Sequence, residues 1–383
     1  MRECKRLGSR VYLVTSKKLE NEDWPREAID DIFFVGDDDE NWDIDNLIKG
    51  ASYLAREHNI DKIVPLDDFD LEKAARLREH LRVAGMGDTR TRYFRDKLAM
   101  RTKAQDENIP VPEFVHVLNY DRVRAYTSIV PPPWVLKPRS QASATGISKI
   151  HSTDQLWEKI HSLGDEQSHY LLERFVPGEI YHVDSIVYNN EVVFARAHKY
   201  GRPPMAVAHD GGIFITKNVE YGSDDEKQLL ELNKGVLGAM GLLSGVSHTE
   251  FIKAESDGKF YFLETLARVG GAHIAEMLEA SSGLNLWREW AKIETLDAEE
   301  DYTVPPHRND NSGLIISLAK QEWPDTGAYS DPEIVWRLDL KNHAGMIVAS
   351  QDAGRIQELL DQYTQRFYDD FHAYHPPSEK PSH

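Results

Sequence analysis

Two acids stand singly in apolar surroundings: Glu250 in TEFI (249–252) and Glu264 in YFLET (261–265), with Ser256, Asp257 and Gly258 between them. An SDG turn between two strand-like runs makes a hairpin. Such a hairpin brings both acids to one face a few ångströms apart. Carboxylates that close repel unless a cation lies between them, and Mg²⁺ held by one or two carboxylates plus substrate phosphates is the usual solution in phosphoryl transfer. Arg268, four residues beyond Glu264, can reach a transferring phosphoryl group. Gly270-Gly271 permits a tight backbone whose N–H groups face an oxyanion. Read alone, the same residues equally describe edge-strand acids salt-bridged to an arginine.

A second set could hold a nucleotide. Lys137 ends the strand-like WVLKP and is followed by RSQASATGI (139–147), a loop of mostly small residues. Small side chains let backbone N–H groups approach phosphate oxygens, and the lysine adds a point charge. A surface lysine beside a turn is the plainer alternative. GMGDTR (85–90) lacks the third glycine of a dinucleotide fingerprint, and no GxxxxGK[ST] occurs, so neither standard phosphate loop is expected.

The whole chain constrains what these residues can serve. Its 383 residues allow two or three domains and a cleft between them. Sixty-four acids against 45 bases give a net charge of −19, which opposes nucleic-acid binding. No apolar run approaches a membrane span and no apolar segment follows the opening MRECKRLGSR, so no membrane partner is expected. The single cysteine, Cys4, cannot form an internal disulfide and fits a reducing cytoplasm.

The elements that must position the candidates follow from periodicity. RVYLVTS (10–16), DIFFVG (31–36) and KIVPLDD (62–68) read as strands alternating with two amphipathic helices, NLIKGASYLAREHNI and DLEKAARLREHL. That pattern predicts a doubly wound parallel sheet, with ligands at the strand carboxyl ends. The acids of PLDDFD (65–70) and GDDDE (36–40) are expected in solvated turns or caps. After the helix RDKLAMRTKAQDEN come runs predicting a mainly antiparallel sheet with helices: VLKP, HYLLERFV, YHVDSIVYN, EVVFARAHKY, GIFITKNVE, VSHTEFIKA and KFYFLETL, with a turn at Asn189-Asn190. SGLIISLAK, EIVWRLDL and GMIVASQD predict three further strands, a final helix follows, and HPPSEKPSH reads as a frayed tail.

RDKLAMRTKAQDENIPVPEF, VLKPRSQASATGI, LLERFVPGEIYHVD, HTEF and FLETLARVGG occur in the order found in ATP-grasp enzymes, which this sequence resembles from about Val11 to Gly283. Its C-terminal part is similar to that of carboxylate–amine ligases of the amino-acid ligase type. The resemblance implies a mixed α/β and α+β architecture. Residues 1–95 would form a Rossmann-like parallel-sheet domain and 96–178 a small lid subdomain. Residues 179–300 would form the large, mainly antiparallel subdomain with the metal site, and 301–383 an extension packed on it.

It also implies roles. Lys97 and Lys137 match the lysines that bind ATP phosphates, and the loop from Ser140 through Ser143 and Thr145 to Gly146 matches the flap over them. Glu173 matches the acid of the adenine linker, with Arg174 beside it and Phe175 and Val176 offering backbone groups to the base. Glu250 and Glu264 match the acids that bind Mg²⁺, with Mn²⁺ as the alternative ion. Arg268 matches the arginine that stabilises the phosphoryl group, with Gly270 and Gly271 beside the acyl group.

Two positions depart from the family pattern. Leu266 replaces the asparagine that serves as a metal ligand, and Ile180 stands where many members carry the ribose-binding acid, leaving Glu179 as its substitute. His182 is a further candidate for the nucleotide. Asp184, His209 and Asp210 could contact substrate or ribose, or be satisfied structural groups. His273 could meet the acyl substrate, and His343 reads as a packed strand end.

The implied activity is ATP-dependent, ADP-forming ligation of a small carboxylate to an amine, in a cytoplasmic protein for which a homodimer is compatible. A thiol acceptor, phosphoryl transfer without ligation, and a non-catalytic ATP sensor are the alternatives.

Overall fold

The structure, a computed structural model, describes residues 1–36, 42–141, 146–204, 207, 211–296 and 300–373. In the first part, β1 (Tyr12–Ser16) and β2 (Asp31–Val35) pair in parallel, and helices Ile44–Leu54 and Leu71–Leu81 follow. The third strand expected over KIVPLDD does not form. Pro65 has no N–H for a ladder, and the Ile63 carbonyl that a neighbouring strand would use accepts instead from Arg78 Nε at 2.9 Å. Among the described residues this sheet is therefore two-stranded. The chain turns at Asp67, whose Oδ1 accepts from the N–H groups of Phe69 and Asp70. Asp68 was expected in a solvated turn and is instead directed inward, only 4% exposed.

The second sheet is antiparallel, in the order β3-β6-β4-β5, built from β3 (Phe114–His116), β4 (Trp134–Pro138), β5 (Ser148–Ile150) and β6 (Tyr170–Arg174). Strand alternation divides its faces. Trp134, Leu136 and Leu172 join Val123, Leu156 and Ile160 of helices Tyr120–Ile129 and Thr153–Leu163 in one core. Val135, Lys137 and Glu173 line the cleft.

The third sheet has eight antiparallel strands. They are β7 (Gly178–Tyr188), β8 (Glu191–Tyr200), β9 (Phe214–Asn218), β10 (Gly245–Ala254), β11 (Phe260–Leu266), β12 (Asn311–Leu318), β13 (Ile334–Arg337) and β14 (His343–Ser350). Their spatial order is β11-β10-β7-β8-β9-β12-β14-β13. The last three continue the sheet through β12 on β9. Both predicted hairpin turns form: Asn189 and Asn190 take left-handed φ of 51° and 65°, and Gly258 takes 68°. Helices Lys97–Asp106 and Asp224–Met240 pack Met100, Leu229 and Val236 against Phe251 and Phe262. Helix Ala353–Asp370 places Leu359, Tyr363 and Phe367 over Ile315, Met346 and Val348. No helix among the described residues is long and apolar enough to cross a membrane.

Candidate active site

A cleft of about 670 Å³ opens between the two antiparallel sheets. The small sheet supplies Lys137 and Glu173 with the Arg174–Val176 segment, and the large sheet supplies Ile180, Tyr200, His248, Glu250, Glu264 and Leu266. The loop after β11 adds Arg268 and Gly271, and Asp68, Arg95 and Lys97 close the remaining wall.

The paired acids stand as the hairpin predicts: Glu250 is the registered partner of Glu264, with a bulge immediately after Glu250. Lys97 Nζ lies 2.8 Å from Glu264 Oε2 and also donates to the Gln141 carbonyl at 2.9 Å. Burial opposes ionisation of Glu264, but Lys97 overrides it and holds the carboxyl at about 2. Glu250 accepts from Tyr200 Oη at 3.0 Å, and burial together with Glu250 keeps that phenol protonated well beyond its ordinary range. Two oxygen-donor acids facing one cleft fit a hard divalent cation.

Local structure explains how the lysines arrive. Asp96 caps helix Lys97–Asp106 by accepting from the N–H groups of Leu98 and Ala99, and its carboxylate also binds Arg139, just beyond β4. The Lys97 N–H donates to the Arg139 carbonyl at 2.8 Å, which ties the helix start to the strand end carrying Lys137. Glu173 lies buried between Lys137 and Arg101, with Arg101 Nε 3.0 Å from Oε2. Burial pushes the Lys137 ammonium down to about 8, partly offset by Glu173. Burial opposes the Glu173 charge as well, but Arg101 and Lys137 keep its carboxyl below the ordinary range. Glu173 thus orders two cations, while Phe175 and Val176 beyond it line the cleft. Arg174 pairs with Glu113 at 2.5 Å.

Arg268 is held by Asp68 in a two-pronged pair, Nε to Oδ1 at 2.9 Å and Nη2 to Oδ2 at 2.5 Å. Its burial is outweighed by that carboxylate, which raises its already high pKa. Gly270 and Gly271 differ in function. A Cβ on Gly270 would fall 2.9 Å from both Asp184 Oδ1 and His248 Nδ1, so glycine is required for close approach to buried groups. A Cβ on Gly271 would meet open space, and Gly271 rather than Gly270 lines the cleft.

Other candidates lie elsewhere. Glu179 does not line the cleft, because alternation along β7 turns Ile180 inward and sends Glu179 to the opposite side, 2.6 Å from Lys199. His182 is wholly buried beneath the cleft wall, its Nδ1 2.7 Å from Asp184 Oδ2 and its Nε2 2.7 Å from Thr216 Oγ1. His273 packs at a tilt of 43° against Trp336, with ring centroids 4.7 Å apart, and is absent from the cleft wall. His343 opens β14, as a packed strand end should. Ser140 and Gly146 flank the cleft, whereas Gln141 and Ile147 line it. Gly146 is needed for its left-handed φ of 73°. Ser143, Thr145, His209, Asp210, the acids at 37–40 and the tail from 375 lie outside the described residues.

His198, His248, Arg101 and Arg95 escaped the sequence reading, and Asp184 proves to be a satisfied structural group. Asp184 gathers His182 (2.7 Å), His198 (3.1 Å) and His248 (2.8 Å) around one carboxylate. Burial pushes His182 down to about 3 despite that neighbour. Burial also works against a charge on His248, but Asp184 and Glu250 hold its imidazole up at about 10. His248 is the registered partner of Leu266, so an imidazole stands across from the position where the family pattern has asparagine. The period of two along HTE could have placed His248 beside Glu250. Arg101, four residues after Lys97, shares its helix face by the same kind of count. Nothing local marks Asp68 or Arg95.

No family model matches the chain. It is 28% identical over 336 residues to an L-arginine-specific L-amino acid ligase of Bacillus subtilis, covering 80% of this chain and 79% of that one. An L-amino acid ligase from Bacillus licheniformis has the same fold, with a TM-score of 0.74 at 18% identity, covering 97% of this chain and 94% of that one. An N5-carboxyaminoimidazole synthetase from Staphylococcus aureus, solved with ADP, superposes with a TM-score of 0.69 at 16% identity over 94% of this chain and 91% of that one. The biotin carboxylase domain of Hydrogenobacter thermophilus 2-oxoglutarate carboxylase, solved with MgADP, gives 0.70 at 16% identity over 94% and 85%. With the two lysines, the paired acids and the clamped arginine around one cleft, the chain has the fold of these enzymes and is similar in sequence to an L-amino acid ligase, in keeping with its resemblance to ATP-grasp carboxylate–amine ligases.

Proposed function

We propose that the protein uses ATP to join the carboxylate of one amino acid to the amine of a second, forming a peptide-like amide, ADP and phosphate. The observation that supports this best is the registered Glu250–Glu264 pair facing Lys97, Lys137 and Arg268 across a cleft whose remaining wall is largely apolar. The Bacillus subtilis relative, an L-amino acid ligase, supports the substrate class.

A carboxylate is a poor electrophile until its oxygen carries a good leaving group. One carboxylate oxygen attacks the γ-phosphorus of ATP. The bond to the bridging β–γ oxygen breaks, and ADP leaves with that electron pair. The amine nitrogen then attacks the acyl carbon, phosphate departs, and the amine loses a proton. No protein nucleophile is needed, because positioning and charge neutralisation carry this chemistry.

Lys97 and Lys137 place the phosphates, and the backbone of Phe175 and Val176 meets the adenine. Glu250 and Glu264 hold Mg²⁺, or Mn²⁺ as an alternative. That ion, when bound, neutralises charge on the phosphates. Leu266 cannot be a ligand, so the two carboxylates form the protein's share of the site. Arg268, oriented by Asp68, faces the transferring phosphoryl group, and the Gly271 backbone approaches the acyl group. Glu179 has no part in ribose binding, since it points away from the cleft. A cytoplasmic location and a homodimer belong to the same reading.

Incubation with Mg·ATP and a pool of amino acids is expected to give ADP and phosphate in proportion to the pool, as read by chromatography of the nucleotides. Removal of single amino acids from the pool would then identify the pair. ATP binding without ADP formation in any pool would turn the reading towards a nucleotide sensor.

A further inference from the structure

Most cations at the cleft are already answered. Lys97 pairs with Glu264, Lys137 with Glu173, and Arg268 with both oxygens of Asp68. Arg95 differs: among the described residues its guanidinium has no hydrogen-bond or ion-pair partner, and its Nε is buried without an acceptor. The side chain is only 7% exposed yet lines the cleft. Its nearest neighbour of note is the face of Phe69, 4.7 Å from the guanidinium carbon.

A guanidinium cannot discard its charge by losing a proton in the physiological range. A buried charge without a partner is costly, so such a group is kept only where something else completes it. The acids whose fields reach Arg95 are Asp68, Glu72, Asp67 and Glu264. With Asp68 engaged by Arg268 and Glu264 by Lys97, Arg95 is left, among the described residues, without a carboxylate in direct contact at this end of the cleft. Arg95 thus stands by the segment 67–72 and within the field of Glu264.

Building on the ligase reading above, we propose that Arg95 anchors a carboxylate of the amino-acid substrates. It binds either the carboxylate awaiting phosphorylation or the carboxylate that the acceptor amino acid carries beside its attacking amine. A planar guanidinium can offer two parallel N–H groups to such an oxyanion. Arg95 is then a substrate-binding residue, distinct from the lysines that meet ATP.

The test compares Arg95→Met and Arg95→Lys with the wild type, using the amino-acid pair that supports ADP formation. Arg95→Met is expected to raise the KM of one amino acid roughly 10- to 100-fold, the range for a charge-assisted hydrogen bond, while the KM of ATP stays unchanged. Arg95→Lys should recover part of that loss. The ligand-free melting temperature of Arg95→Met should hold or rise, since an apolar side chain replaces an unanswered buried charge. Replacing the acceptor by its amide separates the two sources. If the wild type loses the same factor with the amide, and Arg95→Met loses nothing further, the anchored group is the acceptor's carboxylate. If both proteins use the amide as well as the acid, it is the activated carboxylate. Unchanged KM values for both amino acids, an effect on ATP alone, or a fall in melting temperature with equal losses for every substrate would overturn the assignment. Failure of the wild type to form ADP would instead overturn the ligase reading and take this assignment with it.

Discussion

Glu264→Gln should bind ATP and lose nearly all turnover, by roughly 10³, on the scale of several kcal/mol that a metal ion contributes to charge stabilisation. The substitution keeps the shape of the side chain and removes its charge, so the effect isolates electrostatics. In the wild type, Lys97 keeps this carboxylate ionised, with its pKa at about 2, directly across from Glu250. A neutral amide leaves Glu250 as the sole anionic donor and frees Lys97, which is only 8% exposed, from its partner. The variant should therefore show weaker Mn²⁺ binding by electron paramagnetic resonance and some loss of stability, because removing one partner of a buried pair leaves the other uncompensated. ADP formation within tenfold of the wild type would remove Glu264 from the metal site.

Arg268→Met should be equally damaging, lowering turnover by roughly 10³ while the KM of ATP changes little, by analogy with arginines that stabilise phosphoryl transfer. Asp68 separates orientation from chemistry. It grips Arg268 through both oxygens but has no path to the phosphoryl group while so engaged. Asp68→Asn should thus lower turnover by much less than Arg268→Met, and adding it to Arg268→Met should cause little further loss. Equal losses in the two single variants would mean that the ion pair serves only to hold the loop. Steady-state rates with saturating ATP decide between these outcomes.

The parts of the site legible in the sequence are those fixed by strand and turn chemistry. The SDG turn sets the hairpin, and the hairpin sets Glu250 against Glu264. The proline-led strand WVLKP delivers Lys137 to the cleft face by simple alternation. Contacts between segments far apart in the chain were not legible. Asp68 meets Arg268 across 200 residues, and no local pattern distinguishes it from the solvated acids beside it. Arg101 and Lys137 reach Glu173 from different elements, so an acid that looked like part of a linker is the centre of a buried ion cluster. The failed strand at KIVPLDD has a local and a distant cause: Pro65 was visible, but the claim of Arg78 on the Ile63 carbonyl was not. Glu179 shows the same limit on a finer scale, since one residue along a strand reverses the face.

The central claim is that a carboxylate is activated by phosphorylation before an amine attacks it. Supplying the activated amino acid with heavy oxygen in its carboxylate and analysing the products by mass spectrometry tests this directly. Phosphate that carries one labelled oxygen per turnover, with unlabelled ADP and the second label retained in the amide, is the predicted result. Label in AMP, or phosphate without label, would contradict an acyl phosphate and the roles assigned to Glu264 and Arg268 with it.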